Sequence, residues 1–110
     1  MYNFAQDIEE AADGDAIEAI VIGEFGWGGW GGFDESNPIP KDKRNVVLTW
    51  DQARPLLDYQ YHIGYGAPDC HAITVWTESK VMWVTQYDGA TRVSTAPRHP
   101  IDHEPEMPGG

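Results

Sequence analysis

An α+β fold, a mostly antiparallel sheet of about five strands with two short helices and a long Gly/Trp-rich loop, is the class this 110-residue sequence predicts. Three observations carry it. Val, Ile, Thr and Trp crowd Ala72 to Thr77 and Lys80 to Tyr87, and Glu78-Ser79 and Asp88-Gly89 stand where tight turns would close two successive hairpins. Phe4, Ile8, Ala11 and Ala12 recur at helical spacing. Thr49-Trp50-Asp51-Gln52 has the Thr-x-x-Gln form of a capping box, in which a hydroxyl and an amide side chain each bond the other residue's backbone N–H.

Taken in order, Phe4 to Ala12 reads as an amphipathic helix with Asp7, Glu9 and Glu10 on its polar side and Gly14 as its stop. Ala16 to Phe25 reads as a strand, apolar on both faces around Ile20 to Ile22, as a mid-sheet strand buried on both sides would be. It runs into Gly23 to Gly32, which holds six of the twelve glycines and two of the five tryptophans. From there to Arg44 no periodicity survives, and Asn37-Pro38-Ile39-Pro40 excludes helix and disfavours ladder pairing. A connection of roughly 20 residues is far above the usual median of about 4 to 6. Asn45 to Thr49 is a short strand, and the capped helix from Trp50 should end near Asp58 after one to two turns because Pro55 removes a backbone donor. Leu57, Tyr59, Tyr61, Ile63 and Tyr65 alternate with polar residues, so the chain is extended there until Gly64 to Pro68 stops it. The hairpin strands follow, returning through Ala90 to Thr95. Residues 1–96 form one domain and 97–110 a Pro-rich acidic tail.

Charge narrows the function classes. The net −11 is distributed as −9 over residues 1–40, +1 over 41–100 and −3 over 101–110. Such a field repels nucleic acid and anionic membranes and steers encounter with basic surfaces. Direct nucleic-acid binding is therefore not expected, although Trp76, Trp83 and Tyr87 could in principle stack bases; core packing or a protein interface suits them better. Cys70 is the single cysteine, which excludes an intramolecular disulfide and suits a reducing compartment. No leader pattern opens the chain and the longest apolar run, Ala19 to Ile22, is far too short to span a bilayer, so the expected location is the cytoplasm.

Gly26-Trp27-Gly28-Gly29-Trp30-Gly31 has the spacing of a dinucleotide-binding loop after a strand, but the acidic, proline-broken stretch that follows supplies no helix N-terminus for pyrophosphate. Two readings of the loop remain: a lid over the protein's own core, or an aromatic recognition loop. In the second, Glu24, Phe25, Trp27, Trp30, Phe33, Asp34 and Glu35 contact a partner, while Asp7, Glu9, Glu10, Asp13 and Asp15 provide charge steering. His62, Asp69, Cys70 and His71 form the one cluster that resembles a reactive or metal site. Adjacent Cys70 and His71 would point to opposite faces of a strand, and no oxyanion motif accompanies them. No metal, cofactor or catalytic residue is assigned.

Trp50-Asp51-Gln52-Ala53-Arg54-Pro55-Leu56-Leu57-Asp58-Tyr59, then Gly64-Tyr65-Gly66-Ala67-Pro68-Asp69-Cys70-His71, Tyr87-Asp88-Gly89-Ala90-Thr91 and the tail Glu104 to Gly110 resemble a group of small acidic proteins encoded by phages and prophages. The resemblance covers most of the chain and brings no functional residues with it. It implies a role in the conflict between phage and host, in its sharpest form an inhibitor of a host defence complex such as an anti-CRISPR protein. The expectation is an acidic inhibitor that binds and blocks a basic, nucleic-acid-handling host protein. Its alternatives are a small-ligand binder or hydrolytic enzyme using the His62, Asp69, Cys70 and His71 cluster, and a homo-oligomeric assembly protein.

Overall fold

The computed structural model describes residues 2–26, 38–64, 66–87 and 89–107. Its sheet has five antiparallel strands in the order β3-β2-β5-β6-β7, and a second, two-stranded ribbon joins β1 to β4. β1 is Tyr2–Asn3, α1 Phe4–Ala12, β2 Ile17–Phe25, β3 Val47–Leu48, α2 Trp50–Leu57 and β4 Gln60–Tyr61. β5 is His71–Thr77, β6 Lys80–Tyr87 and β7 Ala90–Pro97. The expected α+β class and five-stranded sheet are those observed; the small ribbon is an addition to them.

Helix ends follow local chemistry. The Asn3 side chain accepts from Gln6 N at 2.9 Å, starting α1, and the helix ends on Asp13 in the left-handed region with Gly14 next to it, one residue earlier than its glycine suggests. At α2 both halves of the capping box are formed: Gln52 N donates to Thr49 Oγ1 at 3.2 Å and Thr49 N to Gln52 Oε1 at 3.0 Å. The helix runs through Pro55 to Leu57. The extended stretch expected from Leu57 is accordingly shorter, reduced to β4 and its flanks.

Both helices pack on one face of the sheet. Phe4, Ile8, Ala53 and Leu57 meet Ile20, Ile22, Val75 and Met82 in a single core. Each of the large side chains among them contributes about 1.5–3 kcal/mol by burial. β2 lies mid-sheet as expected, but it is wholly buried on one face only: Ile20 and Ile22 are sealed while Val21 stays part-exposed on the other. The reason is that the helices cover a single side. Pairing of Val21 with Thr74 and Val47, of Ala19 with Trp76, of Thr74 with Trp83 and of Trp76 with Val81 puts these residues on the outer face. Val47 there is 70 % exposed and Tyr87 62 %.

The long connection is better anchored than its composition suggests. Ile39, between two prolines, is fully buried in the core, and Arg44 Nε donates to its carbonyl at 2.7 Å across a 3₁₀ turn, Lys41–Lys43. At the other end Gly26 N donates to Cys70 O at 2.8 Å with φ of +63°, and a Cβ there would stand 3.1 Å from Pro68 O. The first glycine of the G-x-G-x-x-G spacing is thus required by backbone packing. Trp27, Trp30, Phe33, Asp34, Glu35 and Asn37 lie outside the described residues, as do Tyr65 and Asp88.

Candidate functional site

Of the His62, Asp69, Cys70 and His71 cluster, Cys70 and His71 are buried, Asp69 is part-buried and His62 is exposed. Asp69 accepts the backbone N–H of His62 at 2.9 Å, closing a loop, while the His62 side chain is exposed. His71 begins β5 on the core face beneath Ile73 and Val75 and is fully buried. Tyr59 Oη lies 2.8 Å from His71 Nδ1 and accepts His71 N at 2.9 Å, so one hydroxyl serves both the ring and the backbone. Cys70 is 1 % exposed, inside the core, and burial followed by the Asp69 charge pushes its thiol up to about 12. A thiol so held is not a thiolate near neutral pH. Both residues are buried, in place of the expected division between two faces, because Cys70 precedes the strand and escapes its alternation. Among the described residues no group of three or more His, Cys, Asp or Glu could hold a metal ion. The adjoining cleft, about 200 Å³, is smaller than the roughly 300–1,000 Å³ of a small-molecule site.

Phe25 turns inward, its ring edge-on to His71 at 5.1 Å and 6.5 Å from Tyr59. Packing accounts for it, whereas Glu24 beside it is exposed.

The acids of the N-terminal third divide into two groups. Asp7 accepts the hydroxyl of buried Tyr61 at 2.6 Å. Burial first, then this bond and the Asp7 charge, raise the Tyr61 pKa well above the ordinary tyrosine value. Glu9 holds the two helices together, accepting from Trp50 Nε1 at 3.2 Å and Arg54 at 3.1 Å, and its pKa is lowered chiefly by the Arg54 bond. Asp15 ties the β5–β6 turn: it accepts Thr77 Oγ1 at 3.0 Å, Ser79 N at 3.2 Å and Ser79 Oγ, with Lys80 Nζ at 3.7 Å. The Ser79 and Thr77 bonds hold its pKa below the ordinary value. Glu10 and Asp13 are exposed.

The basic side chains are largely engaged. Arg54 bonds Glu9, Lys80 bonds Asp15 and the Ala12 carbonyl, Arg92 pairs with Glu106, and Arg98 bonds Glu18 and the Thr77 carbonyl. Lys43 stands 3.6 Å from Asp42. Outside these pairs the exposed charge is chiefly acidic: Glu10, Asp13, Glu24, Asp51, Glu78, Asp102 and Glu104 face solvent against the single lysine Lys41.

Two surfaces offer contact area, one apolar and one acidic. One is the outer sheet face, where Val21, Trp76, Val81 and Trp83 are part-exposed on the side away from the helices. Its sequence signal is an alternation apolar in both phases, Thr74-Trp76 and Val81-Trp83, which a sheet covered on one side leaves half outside. The other is a groove of about 570 Å³ between α1 and β7, with Asp7 and Glu10 on one wall and Thr91, Arg92 and Val93 on the other. Sequence reasoning does not reach the groove, because its walls are 80 residues apart and nothing local marks them as neighbours.

Comparison with protein-family models, with curated proteins and with solved structures gives no match to this chain. Among the described residues no helix is long and apolar enough to cross a membrane.

Proposed function

We propose that this chain is an acidic inhibitor of the phage type that binds and blocks a basic, nucleic-acid-handling host protein in the host cytoplasm. The observation that carries the reading is the asymmetry of its charges: the arginines and Lys80 are engaged within the fold, while Glu10, Asp13, Glu24, Asp51, Glu78, Asp102 and Glu104 stand exposed outside the ion pairs, against Lys41 alone among the lysines and arginines. The negative field is therefore presented outward, where it accelerates encounter with a basic surface and imitates the charge of a phosphate backbone. Trp27, Trp30 and Phe33 are anchors proposed on sequence grounds, with Glu24, Asp34 and Glu35 beside them.

The test is capture from host lysate on the immobilised chain, followed by elution with salt. A basic nucleic-acid-binding protein is expected, released as ionic strength rises from about 0.05 M to about 0.5 M, over which the Debye length shrinks severalfold. Replacing Trp27 and Trp30 together by Ala should abolish inhibition and leave the circular dichroism spectrum unchanged. Capture that ignores salt, or inhibition that survives both substitutions, overturns the proposal.

A second reading is favoured by the outer sheet face. Trp76, Trp83, Val21 and Val47 carry no charge, so two copies could bury them face to face despite the net charge of each. Sedimentation across a hundredfold concentration range decides it: a constant monomer mass removes the homo-oligomer.

A further inference from the structure

Of the two edges of the five-stranded sheet, one is β3, a two-residue strand too short to template pairing. The other is β7, eight residues long and paired on one side with β6 along its whole length. Thr91 N donates away from β6, to Ile63 O at 3.0 Å, so the outer edge already accepts a neighbouring segment at its beginning. Backbone groups alternate in direction along a strand, and Val93 and Thr95 therefore present their N–H and C=O outward as Thr91 does. Among the described residues no strand pairs with that side of β7; the tail approaches the strand through side chains, Glu106 bonding Arg92 and Ser94 while Ile101, His103 and Glu104 share a cleft with Thr95 to Pro97. Pro97, without an N–H, closes the edge at its far end.

We propose that the outer edge of β7, beside α1, is a strand-addition site for an extended lysine- or arginine-rich segment of the partner protein. The inference rests on the acidic-inhibitor reading above and gives it a place. A guest strand continuing from Ile63 would gain up to four backbone hydrogen bonds, two each at Val93 and Thr95. The open groove of about 570 Å³ gives its side chains room on the α1 side. The backbone edge supplies the site, and the neighbouring charges choose the sign of what enters it. Asp7 and Glu10 line the groove one helical turn apart, and Arg92, the one cation among its described lining residues, pairs with Glu106. Alternate residues of a guest strand point to the same side, so a basic residue at every second position would meet the two carboxylates in succession.

The experiment uses the full chain labelled with ¹⁵N and a hexapeptide of alternating lysine and threonine as the probe, with two companions: the same peptide N-methylated at alternate residues, and a glutamate–threonine version. The lysine peptide should shift the Val93 and Thr95 amide resonances and slow their hydrogen exchange. N-methylation, which removes donors and leaves charge intact, should weaken binding about tenfold or more. Glu10→Gln should weaken it about threefold and flatten its salt dependence, and the glutamate peptide should not bind. Equal binding of the N-methylated peptide, shifts confined to Trp76 and Trp83, or no shift at about 1 mM peptide overturns the assignment. If the chain captures a basic protein while the peptide leaves β7 untouched, the edge assignment alone fails. If it captures none, the inhibitor reading fails, and the peptide result then decides whether the edge stands by itself.

Discussion

Tyr59 shows how much one hydroxyl can organise in a core this size. It bonds the His71 ring and accepts the His71 N–H, and its ring lies 5.6 Å from Phe4 and 5.7 Å from His71. Burial holds its pKa well above the ordinary tyrosine value, so it stays a neutral donor and acceptor throughout the range in which proteins are handled. Tyr59→Phe keeps the ring and removes both bonds. The expected cost is about 1–3 kcal/mol, read as a lower denaturant midpoint with an unchanged slope. The sequence marks Tyr59 as an inward residue through its alternation with Asp58 and Gln60, but pairing with His71, twelve positions away, has no local signature. Cys70 is a case of the reverse kind. Adjacent cysteine, histidine and aspartate suggest chemistry, and nothing local in the sequence signals the burial of the thiol.

Elements announced by their own termini were the most legible. The capping box that starts α2 is readable as Thr49 and Gln52 because both its bonds are local, and Thr49→Ala should cost about 1 kcal/mol, visible as a fall in thermal midpoint of a few degrees. The β5–β6–β7 meander was equally plain, since β-branched runs separated by two-residue turns leave few alternatives. By contrast the β1–β4 ribbon pairs two residues with two, Tyr2 with Tyr61 and Asn3 with Gln60, too few to show a period. Ile39 was equally silent: flanked by prolines, its burial depends on where the chain returns to the core. The groove and the outer face belong to the same class, being products of which elements meet.

At the scale of the whole molecule, acid content serves two purposes that pull on stability differently. Exposed carboxylates repel one another, whereas Glu9 and Asp15 hold separate parts of the fold together. Both have folded pKa values below their ordinary 4.5 and 3.8. Their contribution is therefore fully present above the unfolded values and is lost as pH falls through the folded ones. Thermal midpoints should be nearly level from about pH 7 to about pH 5 and drop below about pH 4. Asp15→Asn should lower the midpoint at neutral pH and converge on the parent protein in strong acid. A constant difference at all pH values would mean that the Asp15 charge is irrelevant and only its shape matters.

The sheet order also imposes a timetable. Strand β2 pairs with β5, Ile20 opposite Val75, so its partner is made about 55 residues later. On a ribosome adding about 5–20 residues per second, the apolar stretch Ile20 to Ile22 waits several seconds before its neighbour exists. The three C-terminal strands, each next to its successor, need no such delay and offer a finished edge for the earlier half to join. During that interval Asp13, Asp15, Glu18 and Glu24 flank the unpaired apolar stretch, and charges so placed disfavour its association with other chains until the sheet closes.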